Sequence, residues 1–178
     1  IIRLILGDQL NEQHSWFKTR NEDVVYVIME MKQETDYVKH HIQKVVAFFS
    51  AMRNFNKRLN KLGHKTHYIA LDDRSNKQHL SEKLKFVLNR YNAIKFEYQL
   101  PDEFRLDKQL KEFSSSLKIE TSAVDSEHFM TSRNDLTDFF EGKKQLLMEF
   151  FYRNMRKQFN ILLEGGQPLG GQWNFDKN

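Results

Sequence analysis

The chain of 178 residues contains no cysteine. Within these residues that excludes disulfides, thiolate-bound zinc, an iron–sulfur cluster and a thiol nucleophile, and it fits an intracellular, cytoplasmic protein. Proline is scarce, with two residues, and glycine nearly so, with seven. Four of those glycines crowd into "EGGQPLGG" near the C-terminus, so little interrupts regular structure before that point. No apolar run approaches the roughly 18 residues needed to cross a bilayer, and no signal-peptide pattern opens the chain, so no membrane partner is expected. The first residue is Ile1 rather than Met, and a residue or more is expected to have preceded it. Familiar site motifs are missing too. Only Gly7 follows the first apolar run, so no G-x-G-x-x-G cradles a dinucleotide pyrophosphate. "GGQPLGGQ" lacks the Lys-Ser/Thr of a phosphate loop, and there is no G-x-S-x-G elbow. No acid–base pair or nucleophile stands out, so catalysis by these residues alone is not expected.

What is present is enough for a packed core. Aromatic residues make up 13% and hydrophobic residues 39% of the chain, and its length suits one domain. Lys and Arg exceed Asp and Glu by 28 − 24 = 4. That mild excess is compatible with nucleic acid, but an ordinary soluble surface is the better reading.

Short β-rich runs alternate with helical patterns. "IIRLILGDQ" (Ile1–Gln9) and "VVYVIME" (Val24–Glu30) read as strands covered on both faces. From Tyr37 to Leu62, Val38, Ile42, Val45, Val46, Phe49, Met52 and Phe55 recur at three- and four-residue steps, with Gly63 as C-cap. "KTHYIAL" (Lys65–Leu71), "AIKFEYQL" (Ala93–Leu100) and "KIETSA" (Lys118–Ala123) read as further strands. His79–Tyr91 and Asp102–Leu117 read as helices, the latter with Phe104, Leu106, Leu110 and Phe113 inward. This alternation predicts an α/β fold: a Rossmann-like, doubly wound parallel sheet of about five strands flanked by helices. It occupies residues 1–145 and includes a short helix near Asn134–Glu141. Residues 146–178 form a last helix (Leu146–Leu163) and a linker.

In open parallel sheets, ligands sit beyond the carboxyl ends of the strands. The polar residues expected there are Gly7, Asp8, Gln9 and Leu10 after the first strand, and Glu30, Glu34, Asp36 and Tyr37 after the second. Asp72 to Asn76 follow the third strand, and Pro101, Asp102 and Glu103 the fourth. Asp8, Gln9, Glu34 and Tyr37 together suit a neutral, hydroxyl-bearing heterocycle. Taken singly, each carboxylate reads better as a helix cap. No metal is expected. His40 and His41 point about 100° apart on a helix, and His64 and His67 have no evident third ligand. On the last helix Arg153, Arg156 and Lys157 form a basic stripe, a solvated or docking face that could also meet phosphates.

The segment "MEFFYRNMRKQFNILLEGGQPLGGQWNFDKN" (Met148–Asn178) resembles the hallmark of the deoxyribodipyrimidine photolyase-related family, the iron–sulfur bacterial cryptochromes and prokaryotic (6-4) photolyases. "LILGDQL" (Leu4–Leu10), "YVKHH" (Tyr37–His41) and "FFSAMRNF" (Phe48–Phe55) resemble its N-terminal domain in order and spacing. The resemblance implies a larger flavoprotein. Its N-terminal antenna domain would cradle 6,7-dimethyl-8-ribityllumazine, and a helical C-terminal domain would hold FAD, a [4Fe–4S] cluster and the lesion pocket for damaged DNA. Carried over by position, the chromophore cradle comprises Gly7, Asp8, Gln9, Leu10, Glu34 and Tyr37, closed by His41, Lys44 and Val45. The chain lacks the cluster cysteines and any flavin domain, so it is expected to be an excised domain or truncated product, monomeric or weakly dimeric. The opposing expectation is a chromophore-free interaction module that organises the flavin domain or contacts DNA. Arg153, Arg156, Lys157, Trp173 and Phe175 are the expected interdomain or DNA contacts. The glycine-rich end reads as a hinge, either poorly ordered or pinned by local contacts, and not as a strand of the sheet.

Overall fold

The computed structural model describes residues 1–32, 35, 38–73, 76 and 79–176. They divide into two compact units, Ile1–Phe129 and Met130–Asn178. The first unit holds a five-stranded sheet of β1 (Ile2–Ile5), β2 (Val25–Met29), β3 (Lys65–Ile69), β4 (Lys95–Gln99) and β5 (Glu120–Val124). The order is β3-β2-β1-β4-β5 and every pairing is parallel. Helices α1 (Ile42–Lys61), α2 (Leu80–Arg90) and α3 (Phe104–Ser115) supply the crossovers that parallel pairing requires. The expected Rossmann-like α/β arrangement is therefore the observed one.

Alternation along the strands builds two cores. Ile2, Leu4, Val27, Met29, Ile69, Phe96 and Tyr98 pack against Leu80, Leu84, Val87 and Leu88 of α2 and Leu106, Leu110 and Phe113 of α3. Ile5, Tyr26 and Ile28 face the other way, onto Phe49, Met52, Phe55 and Leu59 of α1 and onto Trp16 and Phe17. One polar rung crosses this second face. Register places Arg3 beside both Tyr26 and Glu97, and Glu97 beside Ser122. Arg3 Nε donates to Glu97 at 2.7 Å and Nη1 to the Tyr26 hydroxyl at 3.2 Å, while Ser122 Oγ donates to Glu97 at 3.1 Å. A one-residue slip of β1 would bury the Arg3 charge without partners, so this rung fixes register as well as adding stability.

Helix α1 closes as expected. Gly63, at φ +83°, donates to Asn60 O, and His64 donates to Leu59 O, the paired bonds of a Schellman motif. Two helical expectations fail. Phe104 is 80% exposed, because the inward stripe of α3 runs through Leu106, Leu110 and Phe113, and a residue two before Leu106 points about 200° away from it. Val38, Ile42 and Val46 of the expected stripe are exposed as well, and the buried stripe of α1 begins only at Phe49.

At the end of β2, Glu30 is fully buried. Its carboxylate accepts two hydrogen bonds from Arg53 of α1 (2.6 and 2.9 Å), one from the Tyr68 hydroxyl of β3 (2.5 Å) and one from Leu71 N–H (2.7 Å). Its backbone carbonyl accepts from Asn76 and from Lys83 of α2. Burial alone pushes the carboxyl pKa up, but Arg53, Tyr68 and Leu71 together hold it below its ordinary value. Burial also pushes the Lys83 amine down to about 8.

The second unit contains α4 (Asp135–Phe140), α5 (Met148–Gln158) and a hairpin of β6 (Leu163–Glu164) with β7 (Gln167–Pro168). Gly165 and Gly166 both have positive φ, as a two-residue hairpin turn of the favoured twist demands. Arg156, 6% exposed, is the anchor. Its guanidinium donates to the carbonyls of Ile161, Leu162 and Trp173 and lies 5.1 Å from the centre of the Trp173 ring. The glycine-rich end is thus pinned by local contacts and forms a hairpin of its own, outside the five-stranded sheet.

Three outcomes are expected. In urea denaturation Leu110→Ala should lose about 2–5 kcal/mol, and Phe104→Ala less than about 0.5. Glu30→Gln should lose about 1–3 kcal/mol near neutral pH by stranding buried donors. A carboxyl with a depressed folded pKa adds stability above its unfolded value, near 4.5, and loses it as pH falls through the folded one. The gap between Glu30→Gln and the parent should therefore narrow on acidification below about pH 4.5. Arg156→Met should raise amide exchange across residues 161–173 while leaving β1 to β5 protected.

Candidate functional site at the strand switch point

The chain runs outward from β1 to β2 and β3, then returns to place β4 on the other side of β1. The connections after β1 and β4 therefore diverge to opposite faces and open a crevice at the carboxyl ends of the strands. A cleft of about 250 Å³ lies there, between the turn after β1, the first turns of α1 and the start of α3. Val45, Phe48 and Leu106 give it apolar walls, and Asp8, Glu103, His40, Lys44, Arg105 and Thr35 line the remainder.

Each wall has a local cause. Gly7 lets α1 approach, because a Cβ there would fall onto the Phe48 ring and 3.0 Å from Met52 Sδ. Glu103 caps α3, its carboxylate accepting from the N–H groups of Arg105 and Leu106, and it also pairs with the Arg105 guanidinium at 3.3 Å. Lys44 Nζ lies 3.2 Å from His40 Nδ1. Asp8 remains accessible to solvent, yet crowding by protein raises its carboxyl pKa, and the neighbouring Asp102 and Glu103 carboxylates raise it further. Behind Phe48 and Leu106 lies a second void of about 20 Å³, walled by Met29, Met31 and Met52 among others.

Of the residues expected at the site, the cleft brings together Asp8, Lys44 and Val45, with Gly7 beneath. Gln9 is placed differently. It is 1% exposed, accepts from Leu6 N–H and donates to the Gln99 and Leu100 carbonyls at 3.1 and 3.4 Å, strutting β1 to β4. Leu10 packs with the core on the α1 face, and His41 caps α1 by accepting from Gln43 N–H at 3.2 Å. Glu34, Asp36 and Tyr37 lie outside the described residues. Phe48, Leu106, Arg105 and Thr35 were not foreseen as site residues. The first two carry an ordinary core signal in sequence, and only the crevice between their helices reveals a second role.

Of the expected interdomain or DNA contacts, Arg156 is buried on backbone carbonyls, and Arg153 pairs with Glu149 at 2.8 Å. Lys157 Nζ lies 5.4 Å from the centre of the Trp173 ring, and Phe175 is exposed. Among the described residues no group of three or more His, Asp or Glu could hold a metal ion, and no helix is long and apolar enough to cross a membrane.

Comparison with known proteins follows the same lines. Residues 3–178 match the family described as deoxyribodipyrimidine photo-lyase-related protein. A (6-4) photolyase of Agrobacterium fabrum (strain C58 / ATCC 33970) is 32% identical over 175 residues, covering 97% of this chain and 34% of its own length. Uncharacterized protein R852 of Acanthamoeba polyphaga mimivirus is 24% identical over 161 residues, covering 86% of this chain and 80% of its own. The chain spans about a third of the length of that photolyase. With the family match spanning almost every residue, the chain belongs to the deoxyribodipyrimidine photo-lyase-related protein family.

Proposed function

We propose that the chain is a light-harvesting, chromophore-binding domain of a photolyase-type flavoprotein. The observation that carries this is the cleft at the switch point, apolar on Val45, Phe48 and Leu106 and polar around them. Its volume of about 250 Å³ is near the lower end of ordinary ligand sites, roughly 300–1,000 Å³, and the methionine-walled void behind it offers room to extend. Such a lining fits 6,7-dimethyl-8-ribityllumazine. Phe48, Val45 and Leu106 would pack on the fused rings, while Asp8, Lys44 and His40 would meet ring heteroatoms and ribityl hydroxyls. The residues act by binding, orienting and keeping water from the rings; the bound chromophore would supply light absorption and pass energy to a flavin. FAD, the [4Fe–4S] cluster and repair of DNA photoproducts, or photoreception, belong in this reading to the remaining part of a full-length protein. This chain has no cysteine to hold a cluster.

A second reading, a chromophore-free module that organises the flavin domain, draws on the second unit. Leu146, Leu147, Met148, Phe150 and Phe175 are all exposed there, more apolar surface than a small unit leaves open without a partner. In that reading Arg153, Lys157, Trp173 and Phe175 contribute to the contact.

The two readings separate by titrating the purified chain with the lumazine and following absorption and fluorescence. A saturable complex is expected, weakened about tenfold or more, or about 1.4 kcal/mol, by Phe48→Ala and by Asp8→Ala. Absence of binding, or binding indifferent to both substitutions, would sink the antenna reading and leave the interaction module.

A further inference from the structure

The strand ends opposite the cleft carry a second concavity. Helices α2 and α3 both finish there, beside the starts of β4 and β5, and a groove of about 570 Å³ lies between them. Leu88, Ala93, Leu117 and Ile119 form its floor, the first buried and the others half-buried against the core. Lys85, Asn89, Asn92 and Lys118 stand around it, all exposed. Among the described residues none of these four side chains has a hydrogen bond or an ion pair, and no carboxylate lines the groove. Other lysines of these elements are neutralised. Lys95 pairs with Glu97 and Glu120, and Lys108 of α3 pairs with Glu112.

The end of α2 builds one edge of the groove. Lys85 and Asn89, four residues apart, are neighbours on one face of the helix. Asn92 then turns the chain at φ +45°, its N–H donating to Asn89 O while Ala93 N–H donates to Leu88 O. The same paired bonds close α1 at Gly63 and His64. At the left-handed position α1 uses glycine, which adopts it without strain, whereas α2 keeps a side-chain amide that bonds nothing in the chain. The negative end of the α2 dipole accounts for Arg90 in the last turn. It does not account for Lys85, more than a turn earlier, nor for the two amides. Nor does it cancel the lysines. A helix end carries about half an elementary charge, and the carbonyls of Val87, Leu88 and Asn89 are already taken by N–H groups.

We infer that this groove is a docking site for an acidic, extended peptide segment of a partner protein. Charge complementarity points to the occupant, since two unpaired ammonium groups with no carboxylate beside them are matched by Asp or Glu side chains. Each asparagine amide offers both a donor and an acceptor, as the N–H and C=O groups of an extended peptide require. The apolar floor takes an aliphatic side chain between them. A small molecule fits less well, because sites for such ligands bury most of the ligand surface, and here every polar wall is exposed. A phosphate backbone would leave the apolar floor unused. The groove lies at the other end of the strands from the cleft, so it stands or falls independently of chromophore binding.

The test follows backbone amide chemical shifts of the whole chain during titration with the capped tripeptide Glu-Leu-Glu. Saturable shifts are expected at residues 85–93 and 117–119, and binding of capped Gln-Leu-Gln should be weaker by about fivefold or more. That comparison needs no variant. Lys85→Gln/Lys118→Gln should weaken Glu-Leu-Glu by a similar factor. Asn89→Ala/Asn92→Gly should weaken it about threefold, with glycine keeping the left-handed turn. Amide shifts elsewhere in the chain, unchanged in both variants, establish that each is folded. Absence of saturable shifts in the groove, equal binding of the two tripeptides, or shifts centred on Lys44 and Arg105 of the cleft overturns the proposal. Equal shifts from inorganic phosphate at the same concentration overturn it in favour of a site that does not discriminate among anions.

Discussion

A carboxylate with no access to water, at the end of β2, holds three layers of the first unit in one arrangement. Glu30 takes hydrogen bonds from α1 through Arg53, from β3 through Tyr68 and from the following turn through Leu71, while its own carbonyl receives Asn76 and Lys83. Burying a charge is tolerable only when every acceptor position is filled by a donor of suitable geometry. The elements that provide those donors therefore cannot shift independently. α1 is held against the sheet by its middle, at Arg53, which leaves its first turns to border the cleft. The cleft depends on that constraint, because Lys44, Val45 and Phe48 are displayed by a helix whose position Glu30 fixes.

The same logic separates what was legible in the sequence from what was not. Alternating strand and helix patterns revealed the parallel sheet, because periodicity is a local property and the two-sided burial of β1 and β2 is written in their composition. Topology then located the crevice, since a parallel sheet binds at its carboxyl ends. Asp8 was found that way, whereas Lys44 and Val45 came only from the resemblance to the family. Gln9 was assigned to the cradle by position alone, and only the neighbouring β4 carbonyls show that its amide serves as a strut. Phe48 and Leu106 look like ordinary core residues in sequence, and no local signal reveals that the void between their helices is open.

Two further misreadings have the same origin. Phe104 was counted inward because it is large and apolar and close to the right stripe; the helical angle, not its composition, decides otherwise. Arg156 looked like one member of a basic surface stripe. Its burial follows from the hairpin folding back, which turns the carbonyls of Ile161, Leu162 and Trp173 toward one guanidinium. Arginine suits this task because its donors form a planar fork and its flat face stacks on an indole. Composition named the hinge glycines, but the closure that they permit is a tertiary event.

The position of β1 has a bearing on how the protein is made. This first strand is central, paired on one side with β2 and on the other with β4, where Ile2 stands opposite Phe96 and Arg3 meets Glu97 94 positions along the chain. During synthesis β1, β2 and β3 can associate early, but the far edge of β1 stays unpaired until β4 has emerged. Half of the central strand, and the charge of Arg3 with it, thus waits on a distant segment, a long-range closure of the kind that slows folding. β1 is thus secured on both sides only after β4 has emerged, and the crevice beside it exists only once that has happened.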